Sequence, residues 1–241
     1  MIVSCPRCTQ AVTASRTRPE ALLVCGSCDH RFYGFDCHHQ AENFVIYDLE
    51  TTGLDPLGEE IIQIAAMRFT AGRLRPAETY SSFAKPRKPI SAFIQQYTGI
   101  TNRHVAGAPR PEAVLLEFAE WSGDATLIAH NGLRFDSKFL QATCEQHGMP
   151  MRAVGGIDSI HISKMLYGNA PGTGHALDRL VERLAIDIAG VARHDARGDV
   201  EILGYAVARM WTHLSLDAAF NGVRRHEVLL PRSGALGGLI Q

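Results

Sequence analysis

Two acids one residue apart, Asp48 and Glu50, close a run of β-favouring residues in Phe44-Val45-Ile46-Tyr47-Asp48-Leu49-Glu50-Thr51-Thr52-Gly53. Side chains two apart in a strand share a face, so both carboxylates project together while Leu49 points the other way. Burying an unpartnered carboxylate costs roughly several kcal/mol, so the pair must be partnered or must hold a cation. Two hard oxygen ligands at the carboxyl end of a strand suit Mg2+ or Mn2+. Two surface acids at a strand end is the other reading of D-x-E taken alone.

Three further constellations carry chemistry. Asn131-Gly132-Leu133-Arg134-Phe135-Asp136 follows the apolar strand Thr126–His130, so Asp136 enters near the first turn of a helix, as a dipole-complementing cap or facing a cavity. His194-Asp195-Ala196-Arg197-Gly198-Asp199 opens the last long helix. Five helical steps turn about 500°, so His194 belongs on the approach loop if it is to meet Asp199 over one site. Asp195 reads as the helix N-cap, a solvated acid or an alternative ligand. Finally, Cys5-Pro6-Arg7-Cys8 and Cys25-Gly26-Ser27-Cys28 stand sixteen residues apart. Paired C-x2-C knuckles close a thiolate tetrahedron around one Zn2+; disulfides are the weaker reading without an export signal.

The elements that must position these residues alternate. Residues 1–36 read as a zinc ribbon with short strands at Ile2–Ser4, Leu22–Val24 and Arg31–Tyr33, too short to fold without the metal. Residues 37–43 read as a linker, and Cys37, His38 and His39 fall outside the knuckle spacing. A domain at 44–214 follows, with strands at Phe44–Asp48, Ile61–Phe69 and Thr79–Ala84 forming a meander. Helical periodicity appears at Pro111–Trp121, Phe135–His147, Ile160–Tyr167, Leu177–Ala185 and Asp195–Leu214. The class is α/β, an antiparallel meander joined to parallel strands through helices. Residues 215–241, with weak periodicity and a Gly-rich end, read as a tail.

Composition sets limits. The 241 residues are 46% hydrophobic and 20% charged, as in ordinary globular proteins. No apolar run approaches a membrane span, which points to the cytoplasm. A net charge of −1 argues against coating nucleic acid by bulk charge. A local basic face remains open at Arg68, Arg73, Arg75, Lys85, Arg87 and Lys88, as a solvated hairpin edge or as phosphate contacts. Gly172-Thr173-Gly174-His175 lacks a preceding strand and reads as a helix-entry turn, and Cys144 as a buried structural thiol.

D-x-E after a strand, N-G-x-x-F-D after a later strand and H-D-A-x-x-D on a terminal helix, in this order, resemble the DEDDh family of 3′→5′ exonucleases, with a ribonuclease H-like fold. The resemblance runs from about Phe44 to Trp211 and takes in Gln96–Thr101, Phe139-Leu140 and Ile157-Asp158-Ser159. It implies that Asp48, Glu50, Asp136 and Asp199 hold two Mg2+ or Mn2+ ions and that His194 is the general base. It also places Thr51, Thr52, Gly53 and Leu54 near the terminal nucleotide, with Tyr97, Thr98, Asn131 and Phe135 at its base and sugar. Some relatives carry histidine where Thr98 stands. Four crowded carboxylates repel, so without cations the site is expected to be strained or disordered.

The resulting expectation is a zinc ribbon fused to a two-metal exonuclease acting on a single-stranded 3′ end. DNA is favoured slightly, an exoribonuclease or oligoribonuclease-like enzyme is the alternative, and an inactive adaptor the third reading. The ribbon would dock nucleic acid or a protein partner.

Overall fold

The structure, a computed structural model, describes residues 2–4, 10–13, 22–29, 31–33, 43–70, 73–216 and 223–232. At the start of the chain, β1 (Ile2–Ser4) pairs antiparallel with β2 (Ala11–Thr13), and β3 (Leu22–Val24) with β4 (Arg31–Tyr33). Then the apolar run around Tyr47 becomes β5 (Asn43–Thr51), buried on both faces because it lies inside a six-stranded sheet. β6 (Ile61–Thr70) and β7 (Arg73–Phe83) complete an antiparallel meander with it.

Two short helices, α1 (Ala92–Thr98) and α2 (Asn102–Val105), lead to α3 (Pro111–Ser122). β8 (Thr126–Ala129) lies parallel to β5, α4 (Asp136–Gln146) returns, and β9 (Met151–Asp158) lies parallel to β8. α5 (Ser159–Tyr167), α6 (Leu177–Arg183) and α7 (Ala196–Leu216) follow. β10 (Arg225–Pro231) closes the sheet, whose order is β10-β9-β8-β5-β6-β7. This is the mixed, helix-flanked sheet of a ribonuclease H-like fold.

Alternation along β5 divides the core. Val45, Tyr47 and Leu49 face α3 and α4, packing with Leu115, Phe118, Phe139 and Leu140. Phe44 and Ile46 face the other layer, with Val200, Leu203, Val207 and Trp211 of α7. The Trp211 ring meets Phe44 edge-on at 4.8 Å and Phe69 at 5.1 Å, anchoring the distal half of α7. Asp48 and Glu50 share the parity of Phe44 and Ile46, so they look toward α7, the helix bearing Asp199. Among the described residues no helix is long and apolar enough to cross a membrane.

Three expectations are corrected. The supposed tail after residue 214 contains β10, which pairs with β9 over seven positions and buries Val228 and Leu230. The motif around Ile157 is the end of a full strand, β9, whose apolar pattern Gly155 and Gly156 interrupt. A Cβ on Gly156 would stand 2.5 Å from Val228 Cγ2, so the glycine is what admits the β10 side chains. The basic run, finally, does not gather into one face. Arg68 lies over the Trp121 ring and donates to the Trp121 carbonyl at 2.5 Å, and Arg87 pairs with Glu60 at 3.0 Å. Arg73 and Arg75 are separated from Lys85 and Lys88 by about 30 Å of strand.

Candidate active site

The bulge between Glu50 and Thr51 ends β5 against β6 and turns the chain into the 51–60 loop. The Thr51 hydroxyl donates to Gly53 O at 2.6 Å, and the Thr52 hydroxyl bonds Glu59 Oε2 at 2.5 Å and accepts from Glu60 N at 2.9 Å. Both threonines therefore shape the turn. A Cβ on Gly53 would meet Glu59 at 2.9 Å, so this loop folds onto itself. Leu54, 83% exposed, is left at its tip.

Asp136 is the first residue of α4 and is 2% exposed. The loop before it is stapled by Asp158, the N-cap of α5, which accepts from Ile160 N at 3.0 Å, Asn131 N at 3.1 Å and Leu133 N at 3.4 Å. Asn131 takes a left-handed φ of +62°, and Gly132 lies where a Cβ would stand 2.6 Å from Ala129 Cβ. Asp158 thus positions Asp136 without belonging to the acid cluster.

The third wall is the start of α7. Gln63, fully buried and the one amide in the apolar run of β6, accepts from Ala196 N at 3.1 Å and donates to Asp195 Oδ1 at 3.2 Å. Asp195 caps the helix, accepting from Arg197 N at 3.0 Å and pairing with its guanidinium at 2.6 Å, so its carboxylate is committed. That resolves its three readings in favour of the cap. Gly198 admits the preceding loop: a Cβ there would stand 1.9 Å from Ala192 O. Arg193 bridges Asp178, at 2.6 Å, and Asp199 Oδ1. His194, at φ +58°, donates its backbone N–H to Asp199 Oδ2 at 3.1 Å and stacks its ring on Tyr97, centroids 4.3 Å apart.

These walls enclose an open cleft of about 300 Å3 lined by Asp48, Glu50, Thr51, Gly53, Leu54, Ile94, Tyr97, Phe135, His194 and Asp199. Asp136, Thr52, Thr98 and Asn131 are outside that lining. Thr98 is buried, donating to Ile94 O at 2.9 Å and accepting from Ile100 N at 3.1 Å to end α1, so its hydroxyl does not reach a terminal base. Gln63 and Arg193 act as positioning residues that no motif marks, although Gln63 shows as an amide inside a strand of apolar residues; Asp158 lies in the Ile157-Asp158-Ser159 motif, which carries no positioning role by itself.

Oxygens of Asp48, Glu50 and Asp199 lie within 4.8 Å of one another. Burial pushes Glu50 up to about 8, with Asp199, Asp195 and Asp136 adding to it. Burial likewise raises Asp136 to about 7, opposed by its own backbone N–H, reinforced by Asp158 and opposed by that of Leu49. Asp48 is raised well above the carboxylate range by burial, then by Asp136, Glu50 and Asp199. Asp199 is raised by burial against the pull of Arg193. At Asp199 the repulsion among the acids is opposed by the Arg193 guanidinium. Asp136 Oδ1 is buried with no hydrogen-bond donor, and a converging set of hard oxygens with an orphaned acceptor fits a divalent cation.

Cys25 is buried and Cys28 half-buried, flanking the turn Gly26-Ser27 between β3 and β4, where Asp29 donates to Cys25 O at 2.9 Å. Cys5, Cys8, Cys37, His38 and His39 lie outside the described residues. Gly172–His175 is a helix-entry turn before α6, and Cys144 is fully buried in α4 with its thiol pushed up to about 11.

The exonuclease family RNase_T matches residues 45–207. The chain is 35% identical over 171 residues to a PolC-type DNA polymerase III of Latilactobacillus sakei subsp. sakei and 32% over 169 residues to that of Bacillus cereus. Those stretches cover 71% and 70% of this chain but 11% of each relative. The nuclease domain of 3′hExo, a DEDDh family member bound to rAMP, superposes with a TM-score of 0.61 at 21% identity, over 78% of this chain and 97% of that one. Exonuclease X in complex with 5′ overhanging duplex DNA gives 0.58 at 23%, over 71% and 93%. At these identities the structural likeness shows the fold alone.

Proposed function

This chain belongs to the exonuclease family, and we propose that it hydrolyses the terminal phosphodiester at the 3′ end of single-stranded DNA, releasing nucleoside 5′-monophosphates. The observation that carries this reading is the convergence of Asp48, Glu50 and Asp199 within 4.8 Å beside the orphaned oxygen of Asp136. A pure binding module has no use for four mutually repelling acids.

Asp48, Glu50, Asp136 and Asp199 would hold two Mg2+ or Mn2+ ions. When bound, such ions supply Lewis-acid stabilisation of the charge that builds on the phosphoryl oxygens in an in-line displacement. His194 accepts the proton of the attacking water as general base. Its stack on Tyr97 and its backbone bond to Asp199 hold the imidazole at the cleft rim. Phe135, Leu54 and Tyr97 exclude water and border the terminal base and sugar.

DNA is favoured because the relatives at 32–35% identity are DNA polymerases. The RNA reading keeps support from the fold likeness to a nuclease domain bound to rAMP. The test is incubation of 5′-labelled single-stranded DNA, duplex DNA, RNA and dinucleotides with Mg2+ or Mn2+, beside a protein carrying Asp48→Ala and Glu50→Ala. A ladder shortening from the 3′ end of DNA in the unaltered protein only is the expected result. Degradation of RNA alone would replace the substrate, and no degradation would leave the adaptor reading.

The proposal extends to residues 1–36 as a zinc ribbon, with Cys5, Cys8, Cys25 and Cys28 holding one structural Zn2+, joined by a linker at 37–43. Its support is the cysteine spacing and the Cys25–Cys28 turn between paired strands. The ribbon docks long nucleic acid or a protein partner. Cys5→Ser with Cys8→Ser would be expected to lower bound zinc and long-substrate affinity together; unchanged affinity after zinc loss would reduce the ribbon to a folding element.

A further inference from the structure

Beyond the cleft, α1 presents two aromatic rings to solvent. Phe93 is 72% exposed and Tyr97 53% exposed, one helical turn apart and on the same face. Their rings are nearly parallel, 12° apart with centroids at 6.1 Å. Tyr97 in turn lies on His194 at 4.3 Å, so a file of three rings runs from the candidate catalytic histidine out of the cleft. The platform is held from below: Ile94 packs against Ile62, Ile90 and Ile100, and the Gln95 side chain donates to Ile90 O at 2.9 Å.

A single exposed phenylalanine needs no explanation. Here, however, the exposed ring continues a ring that lines the active cleft, and both are fixed by a buried underside. An apolar planar face continuous with a nuclease cleft has the chemistry of base stacking, which accepts any base because every base has a π-face. The second base of a duplex end is stacked between its neighbours on both faces and cannot lie there while paired.

We propose that Phe93, with the outer face of Tyr97, forms a stacking subsite for the base of the second nucleotide from the 3′ end, so that the enzyme engages at least two unpaired nucleotides. This rests on the exonuclease reading and names its substrate as a single-stranded end. Phe93 is a specificity residue that touches substrate one step away from the bond cleaved.

The test compares two probes with Mn2+. The p-nitrophenyl ester of thymidine 5′-monophosphate occupies only the terminal site, whereas a 5′-labelled ten-residue oligothymidylate reaches both. Phe93→Ala is expected to raise KM for the oligonucleotide by roughly 5- to 100-fold, the range of one lost stack, and to leave the ester unaffected. Phe93→Leu, which keeps an apolar side chain without a ring, should resemble Phe93→Ala, and Phe93→Trp should restore affinity. An unchanged oligonucleotide KM in Phe93→Ala overturns the subsite, as does an equal loss on both probes. If the unaltered protein hydrolyses neither probe, it is the exonuclease reading that fails.

Discussion

Without divalent cations, this protein should lose stability as the pH rises from about 6.5 to 8, and Mg2+ or Mn2+ should abolish that loss. Glu50 is raised from 4.5 to about 8 and Asp136 from 3.8 to about 7, chiefly by burial. In this range the unfolded chain has already released both protons while the folded chain still holds part of them. Stability therefore falls with rising pH. Each pH unit below a raised pKa is worth about 1.4 kcal/mol, so Glu50 and Asp136 together lose roughly 2 to 3 kcal/mol across the window. For a domain of this size that is about 5 to 10 °C in Tm. Below about 6.5 the partly buried imidazoles of His130, His175 and His226 act in the opposite sense, because desolvation lowers them and acid then charges them more readily in the unfolded chain. The upper window isolates the acids. The assay is thermal unfolding followed by circular dichroism at pH 6.5, 7, 7.5 and 8, in EDTA and in excess metal. Cations that bind the ionised carboxylates at 100 times their Kd add about 3 kcal/mol, and the gap between the curves should widen toward pH 8. A metal-free Tm that is flat or rising from 6.5 to 8, or a fall of equal slope with metal, would refute the electrostatic account of the site.

Other expectations concern single side chains. Asp136→Asn removes one of the repelling acids, so the metal-free protein should unfold at a higher temperature at pH 8 while metal affinity, read by calorimetry, and nuclease activity fall; a lower metal-free Tm would contradict this. Gly198→Ala forces a Cβ against Ala192 O, now 1.9 Å from where it would stand, and should displace the loop bearing Arg193 and His194. The measurable result is a large drop in kcat with the far-ultraviolet spectrum retained. Gln63→Leu leaves Ala196 N without its acceptor and should cost about 1 to 3 kcal/mol in urea unfolding. Hydrolysis should rise from about pH 6 to 8 as the raised acids ionise to take up metal, with His194→Ala lowering the rate.

The acids and the histidine could be proposed from the chain only through the ordered motifs that resemble the DEDDh family, because strand and helix period alone leave each acid a surface or capping reading. D-x-E on a strand shares a face whatever surrounds it, and a helix opening with His194 and Asp199 can bring both to one side only from a loop. The same local rules found β5, β6, α3 and α4. They failed at β9 and β10, where Gly155 and Gly156 break the apolar pattern and where a short edge strand gains its stability from the neighbour it pairs with. Whether Asp195 capped or ligated, whether Thr98 faced a substrate, and whether six basic side chains made one patch were open as well. Partners distant in sequence settle two of these, Gln63 for Asp195 and Trp121 and Glu60 for two of the arginines, whereas Thr98 is taken up by Ile94 O and Ile100 N at the end of its own helix. The sequence determined which groups this protein brings to its chemistry, since ligand type and periodicity are properties of the chain itself. Only the tertiary structure decided their surroundings, with Glu50 and Asp136 raised by burial and Arg193 on Asp199, because burial and the fields of neighbours exist only once the sheet and α7 have closed around them.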